Sequence, residues 1–263
     1  MKFLRISTSR TGIGVNLKAT ILAAGVGSRL GDLGRRQPKG LIEIGGEPIV
    51  YRSIRLLQEA GIGDISIVVG HKSEMYERAV ESFPSVRLLY NREYSSGGST
   101  RSLALAAEWA SSDLIVLDSD IVYGFESISV LIASKQANAV LVSGVTGAGD
   151  EVWVYGDKGR AEKISKTPDA RANLMGEFVG ISKLGKDILT NLRAVKVGSE
   201  RTEPSEYEAF ISQHCRDYPV EICLVEDLIW GEIDTDSQLA RIRYDVFPRL
   251  LASERGVLGQ PSD

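Results

Sequence analysis

Short apolar runs recur along the chain, separated by longer amphipathic or loop-like stretches: KATILAAG, DISIVVG, VRLLYN, DLIVLDSD, AVLVSGV, FVGISKL and EICLVEDLIW. Runs that are apolar on both faces suit strands covered by helices on either side. Between the first two runs, EPIVYRSIRLLQEAGI places Ile49, Ser53, Ile54 and Leu57 along one helical face and stops at Gly61. GSTRSLALAAEWASSD begins at a Ser/Thr cap and predicts another helix. The alternation predicts an α/β fold, a Rossmann-like, doubly wound and mostly parallel sheet. One stretch breaks the rhythm. In EVWVYGDKGRAEKISK two alternating segments flank Gly156, Asp157, Lys158 and Gly159, which predicts a hairpin and with it a small antiparallel annex over the site. Periodicity fades after Arg249, and the first dozen or so residues read as an extension. The predicted organisation is an N-terminal extension (1–17), a single domain (18–250) and a C-terminal tail (251–263).

With 263 residues, 43% of them hydrophobic, the chain can bury a full core as one large domain. Lys and Arg total 31 against 35 Asp and Glu, a net charge of -4, so no global basic field draws it to nucleic acid or to anionic lipid. An anion site must therefore be local. No apolar run is long enough to cross a bilayer, and MKFLRISTSRTGIGVN lacks the apolar centre and cleavage site of a secretory signal. These features predict a cytoplasmic protein without membrane partners. Cys215, Cys223, His71 and His214 are too few for a disulfide framework or a zinc site, which leaves oxygen ligands for any metal.

The stretch ILAAGVGSRLGDLGRRQPKGLIEIGG packs glycines and then basic residues behind the first apolar run. Glycines there let backbone amides turn inward toward phosphate oxygens. A dinucleotide fingerprint would need glycine at Leu30, and a Walker loop would need Gly-Lys-Ser/Thr where the chain has Pro38-Lys39-Gly40. Both readings fail on spacing. Further on, DLIVLDSD ends on Asp118 and Asp120, at the carboxyl edge where open α/β sheets bind ligands. Two carboxylates there repel each other; a divalent cation would relieve them, and an Asp that merely caps the next turn is the plainer alternative.

LAAGVGSRL followed by QPKGLIEIGGEPIVYRSI resembles the nucleotidyltransferase family that joins a nucleoside triphosphate to a phosphorylated sugar or alcohol. That likeness implies that Gly25, Gly27 and Ser28 offer amides to the triphosphate. It implies further that Arg29 neutralises the β and γ oxygens and that Lys39 sits on the α-phosphate. Arg29 and Lys39 are then the catalytic residues, because nucleotidyl transfer depends mainly on positioning and on supplied cations. Arg35 and Arg36, in the mobile span LGDLGRRQ, either close a lid or are simply solvated. VEDLIWGEIDTDSQL resembles the C-terminal metal motif of the same transferases, which implies Asp120 and Asp234 as Mg ligands, Asp118 as an orienter or auxiliary ligand, and Asp236 as the N-cap of the last helix.

YNREYSSGGSTRSLALA, the hairpin and the C-terminal motif look most like small cytidylyltransferases acting on phosphocholine or 2-aminoethylphosphonate. By that likeness the base lies against Leu22, Ala23, Ala24 and the backbone around Gly97, Gly98 and Ser99, and Lys166, with Lys163 as a second candidate, reaches the acceptor's phosphoryl group. A quaternary ammonium needs an aromatic wall and an acidic neighbour. A primary amine instead needs carboxylate or carbonyl acceptors; Tyr94, Trp153, Tyr155, Phe178 and Trp230, with Glu151, Glu177 and Glu232 as acids, are the candidates for either lining, the plainer alternative for the aromatics being the core. The resemblance implies Mg, CTP and a small phosphonate or phosphate as partners, and leaves a homodimer open. 2-Aminoethylphosphonate is favoured over phosphocholine because GGSTRSL lacks the asparagine pair expected beside choline. Competing readings are a sugar-1-phosphate nucleotidyltransferase using UTP or dTTP, and a nucleotide-binding regulatory domain. The latter has little need of Arg29, Lys39, Asp120 and Asp234 together. His71, Arg101 and the two cysteines read as structural or solvated.

Overall fold

Every apolar run quoted above becomes a strand in the computed structural model, which describes residues 17–193 and 204–258. Of the expected N-terminal extension, only Leu17 falls within the described residues. The strands are β1 (Lys18–Ala23), β2 (Glu43–Ile44), β3 (Glu47–Pro48), β4 (Ile65–Val69), β5 (Val86–Tyr90), β6 (Leu114–Asp118), β7 (Ile121–Val122), β8 (Asn138–Ser143), β9 (Trp153–Asp157), β10 (Arg160–Ser165), β11 (Leu174–Leu184), β12 (Val220–Val225) and β13 (Gly231–Glu232). The helices are α1 (Gly31–Arg36), α2 (Ile49–Glu59), α3 (Ser73–Ala79), α4 (Tyr94–Ala110), α5 (Glu126–Ala133), α6 (Lys186–Arg193), α7 (Tyr207–His214), α8 (Asp236–Arg241) and α9 (Phe247–Leu258).

Nine strands form one sheet in the order β5-β4-β1-β6-β11-β8-β12-β10-β9. β5, β4, β1 and β6 run parallel, as the alternation of strand and helix predicts. Beyond β6 the sheet is mixed, because β11 runs against β6, β8 and β9. The expected β9–β10 hairpin is present as an antiparallel addition to this same sheet. The long strand β11 explains this: residues 174–177 pair with β9 and 181–184 with β6, so one strand serves both ends of the mixed region.

The period of two along each strand separates two cores. Ala19, Ile21 and Ala23 of β1 and Ile115 and Leu117 of β6 pack with Ile54 and Leu57 of α2 on one face. Leu22, Leu114 and Val116 pack with Leu103 and Ala107 of α4 and Phe210 of α7 on the other. Full burial of each Leu, Ile, Val or Phe side chain among them contributes about 1.5–3 kcal/mol. A third apolar cluster gathers Leu30, Ile42, Val122, Ile233, Leu239 and Leu250, and thereby ties the loop after β1 to the segment carrying Asp234.

Three local readings change. α4 joins an unexpected leading turn from Tyr94 to the helix expected from the GST stretch, with the non-helical Gly98 between them. The span expected to be a mobile link is the short helix α1. α9 carries the chain past Arg249 to Leu258, held by the buried Leu250 and by an ion pair from Arg52 to Glu254. Both of those anchors are long-range, so local periodicity does not reveal them. Among the described residues no helix is long and apolar enough to cross a membrane.

Candidate functional site

From β1 the chain winds outward to β4 and β5, then returns to lay β6 on the opposite side of β1. Such a reversal opens a crevice at the carboxyl ends of the strands, where ligands bind in open α/β sheets. Here the register sets Leu22 beside Asp118, so the glycine turn and the acidic turn emerge together. A cleft of about 710 Å³ lies over them. Leu22, Ala23, Ala24, Gly25, Gly27, Arg29, Lys39, Gly98, Ser99, Asp118, Asp120, Trp153, Lys166, Glu232 and Asp234 line it, bringing together most of the residues singled out from sequence. Ser28, Gly97, Tyr155 and Glu177 are not in its lining.

At one end, the short β7–β13 pair sets Glu232 beside Ile121, and the Ile233 amide donates to the Asp120 carbonyl at 2.9 Å. Carboxylate oxygens of Asp120, Glu232 and Asp234 thus converge to within 4.8 Å of one another. Glu232, expected in the acceptor lining, faces the cleft and also stands in this acidic group. Lys39 Nζ donates to Asp120 Oδ2 at 2.6 Å and also to Asp234 Oδ1. Arg29 Nη2 reaches Asp234 Oδ2 at 2.7 Å. Burial alone would pull the Lys39 ammonium down, but the charges of Asp120 and Asp234 outweigh it and push it up. Burial, reinforced by Asp120 and Asp234, raises the Glu232 carboxyl. Like-charged, all-oxygen donors of this kind, one buried and two half-buried, fit a hard divalent cation that also takes phosphate oxygens.

Asp118 shares the sheet face of Leu114 and Val116 and accepts from Tyr207 Oη at 3.2 Å. Its carboxyl is raised well above the usual range by burial, and further by the charges of Asp120, Glu232 and Glu208. A carboxyl raised in the folded state contributes stability below its unfolded pKa of about 3.9 and loses it as pH rises through the folded value. Asp118→Asn is therefore expected to raise the thermal midpoint at pH 8 by ~3 °C in chelator, an advantage that closes as the pH falls toward ~4. Unfolding scans across that range check this; equal midpoints at pH 8 would refute it.

The opposite wall comes from α7, which no sequence motif marks. Gly98 has φ 65° and ψ -175°, and a Cβ there would lie 2.2 Å from the Ser205 carbonyl oxygen. This close approach lets the Thr100 amide donate to that carbonyl at 3.0 Å, while the Tyr207 amide donates to Ser99 Oγ at 2.9 Å. Docked in this way, Glu206, Tyr207 and Glu208 line the cleft together with Phe178 and Trp153. Lys166 Nζ lies 3.2 Å from Glu208 Oε1 and 4.0 Å from Glu206 Oε2. The only sequence signal was two glutamates around a tyrosine at a helix start.

Asp150 is a second residue that sequence reasoning missed. Gln238 Nε2 donates to its Oδ2 at 2.5 Å, while Gln238 Oε1 accepts from the amides of Asp234 and Thr235. One side chain thus ties the Asp234 turn to the 149–151 loop. Gln238 completes a capping box with Thr235, so the N-cap of α8 is Thr235 and the expected cap, Asp236, falls in the first turn.

Several candidate lining residues are engaged elsewhere. Tyr155 is buried, and its Oη accepts from the Asp169 amide at 2.7 Å. Glu177 is buried and accepts from the Thr146 amide at 2.8 Å. Both shape the wall from behind. Trp230 Nε1 donates to Ser143 Oγ, Lys163 pairs with Asp169 at 2.6 Å, Arg101 pairs with Glu93 and Arg35 with Asp32. His71 is outside the lining, and its amide donates to the Ala24 carbonyl.

A glycine turn, two cations and convergent carboxylates at the switch point of a mixed sheet define an α/β domain of the nucleotide-phosphate-binding class. The chain belongs to the MobA-like NTP transferase domain family, whose model matches residues 19–178. It is 32% identical over 156 residues to a 2-aminoethylphosphonate cytidylyltransferase of Lancefieldella rimae, covering 56% of this chain and 60% of that protein. It is 36% identical over 100 residues to a choline-phosphate cytidylyltransferase of Streptococcus pneumoniae, covering 38% and 43%. The matched stretches span less than two thirds of either relative. The fold superposes on the inositol-1-phosphate CTP transferase from T. maritima with a TM-score of 0.75 at 17% identity, over 90% of this chain and 96% of that one.

Proposed function

We propose that this protein is a magnesium-dependent cytidylyltransferase that moves CMP from CTP onto a small zwitterionic phosphonate or phosphate, with 2-aminoethylphosphonate the best candidate. The observation that carries the reading is the pairing of two unlike walls in one cleft. A cation and carboxylate centre at Arg29, Lys39, Asp120 and Asp234 suits a metal-bound triphosphate, and an acidic wall at Glu206 and Glu208, with Lys166 beside it, suits an acceptor carrying both signs of charge. Asp120 and Asp234, with Glu232 next to them, would hold the metal, which supplies charge neutralisation to the triphosphate.

In this reading the base rests against Leu22, Ala23, Ala24 and the Gly98–Ser99 backbone, and amides of the 25–28 turn face the triphosphate. An acceptor oxygen forms a bond to the α-phosphorus as the α–β phosphoanhydride bond breaks and pyrophosphate leaves with the electron pair. Lys39 shifts from its carboxylates to the α-phosphate, and Arg29 stabilises charge on the departing group. No general base is required, because the acceptor oxygen is already anionic at neutral pH.

Phosphocholine is the second reading. It draws on Trp153, Phe178 and Tyr207 around the acidic wall, since a quaternary ammonium is held by aromatic faces. The two separate in a pyrophosphate-release assay crossing four nucleoside triphosphates with 2-aminoethylphosphonate, phosphocholine and two hexose phosphates, with and without chelator. The expected outcome is turnover with CTP and 2-aminoethylphosphonate that chelator abolishes and Mg restores. Equal or faster turnover with phosphocholine would reassign the acceptor, and turnover confined to hexose phosphates would remove the zwitterion reading.

A further inference from the structure

Beyond an acceptor class, the cleft holds a means of selecting one acceptor over its near relatives, a selection that rests on the zwitterion reading above. Lys166 and Glu208 are held at 3.2 Å by unrelated elements, the end of the β9–β10 hairpin and the first turn of α7. Their surroundings are unequal. The Lys166 side chain is 58% exposed, whereas that of Glu208 is 9% exposed. Among the described lining residues the other cations, Arg29 and Lys39, are engaged by Asp234 and Asp120, which leaves Lys166 as the cation of the acceptor wall. Glu206, Asp118 and Glu232 face the same cavity and make its field negative.

We propose that Lys166 and Glu208 form a resident ion pair which the acceptor replaces from both ends, its ammonium taking Glu208 and its oxyanion taking Lys166. A molecule with an oxyanion alone would draw Lys166 away and leave a sheltered carboxylate without a counter-ion, which is the costly way to break such a pair. A molecule with an ammonium alone would take Glu208 and leave Lys166 to Glu206 without bringing an attacking oxygen. Only a molecule carrying both an ammonium and an oxyanion leaves each member of the pair with a counter-ion. The pair thus excludes simple phosphonates and inorganic phosphate by charge bookkeeping, without a steric filter. Glu208 and Lys166 are then specificity-determining residues.

The test compares 2-aminoethylphosphonate with ethylphosphonate, which has the same carbon skeleton without the amine, at saturating CTP in the wild type, Glu208→Gln and Lys166→Gln. The wild type is expected to prefer the aminated acceptor by about 100-fold in kcat/KM. Glu208→Gln should lower kcat/KM for 2-aminoethylphosphonate at least about tenfold and raise it for ethylphosphonate about threefold, because the second acceptor no longer strands a carboxylate. Lys166→Gln should weaken both acceptors. The gain with ethylphosphonate is the deciding readout, since a variant damaged in its fold would lose both. Parallel loss of both acceptors in Glu208→Gln, or no change in either, overturns the exchange. A wild type that does not distinguish the two acceptors overturns the zwitterion reading itself, whereas an undiminished preference in Glu208→Gln overturns the exchange and leaves that reading standing.

Discussion

Lys39→Gln is expected to lower kcat/KM for CTP by about 100–1,000-fold, the range for removing one preorganised donor to developing charge, and to destabilise the free protein as well. Its Nζ bridges Asp120 and Asp234 with 16% of the side chain exposed, and without it Asp120, Glu232 and Asp234 converge with Arg29 as the remaining cation at the cluster among the described residues. Breaking a buried pair by deleting one partner costs about 3–5 kcal/mol, which in a domain of this size lowers the thermal midpoint by roughly 10 °C. Arg29 compensates little, because 65% of its side chain faces solvent. A divalent cation should restore the charge balance that the ammonium provided. Millimolar Mg is therefore expected to raise the midpoint of Lys39→Gln by more than it raises that of the wild type, while turnover is expected to stay low because the proposed role of Lys39 at the α-phosphate is not restored by the metal. Asp234→Asn separates the two effects: it loses turnover but relieves repulsion within the cluster, and so unfolds at a higher temperature than Lys39→Gln. Thermal scans with and without Mg, set beside steady-state rates, test the claim, and a Lys39→Gln midpoint equal to the wild type's would refute it.

What the sequence made legible follows from the range over which each signal acts. Strands β1, β4 and β6 are local: apolar runs with turn residues at their ends specify them, and the glycine turn after β1 can be placed from its neighbours alone. Asp120 and Asp234 lie far apart in the chain, yet each sits in a short motif, so their meeting could be expected before the β7–β13 pair was seen to cause it. The wall from α7 had no such help. Glu206 meets Ser99 across 107 positions, and what brings them together is the absence of a side chain at Gly98, which reads in sequence as one glycine among many. Small errors of facing account for other differences. Phe178 lines the cleft while its neighbour Glu177 is turned to Thr146, as expected where successive strand residues point in opposite directions. Thr235 rather than Asp236 caps α8 because Gln238 lies at the spacing a capping box requires.

Gly98→Ala should have the second-largest effect, and it reaches the acceptor through the backbone. At φ 65° and ψ -175° the residue occupies a region essentially restricted to glycine, where other residues carry about 1–3 kcal/mol of strain. The added Cβ also meets the Ser205 carbonyl at 2.2 Å, which is backbone and cannot rotate aside. Relief requires Ser205 to withdraw, which breaks the 3.0 Å bond from Thr100 and pulls the Tyr207 amide off Ser99. Glu206, Tyr207 and Glu208 then leave their positions together. Since a displacement of about 1 Å in a positioning group can cost about 100-fold, kcat/KM for the acceptor should fall by about that factor. At saturating CTP the loss should appear as a raised KM for the acceptor, with the KM for CTP rising as well because the proposed base site uses the Gly98–Ser99 backbone, while the carboxylates of Asp120, Glu232 and Asp234 are anchored separately through β13 and the third apolar cluster. Gly97→Ala, one residue away, also crowds its surroundings, since its Cβ would meet Arg101 Cβ at 2.9 Å, but it leaves the Ser205 carbonyl untouched, so the acceptor KM is expected to rise less than in Gly98→Ala. Kinetics with acceptor varied at saturating CTP distinguish the outcomes. An unchanged acceptor KM in Gly98→Ala, with the thermal midpoint lowered, would mean that the first turn of α7 supports the fold without forming the acceptor surface.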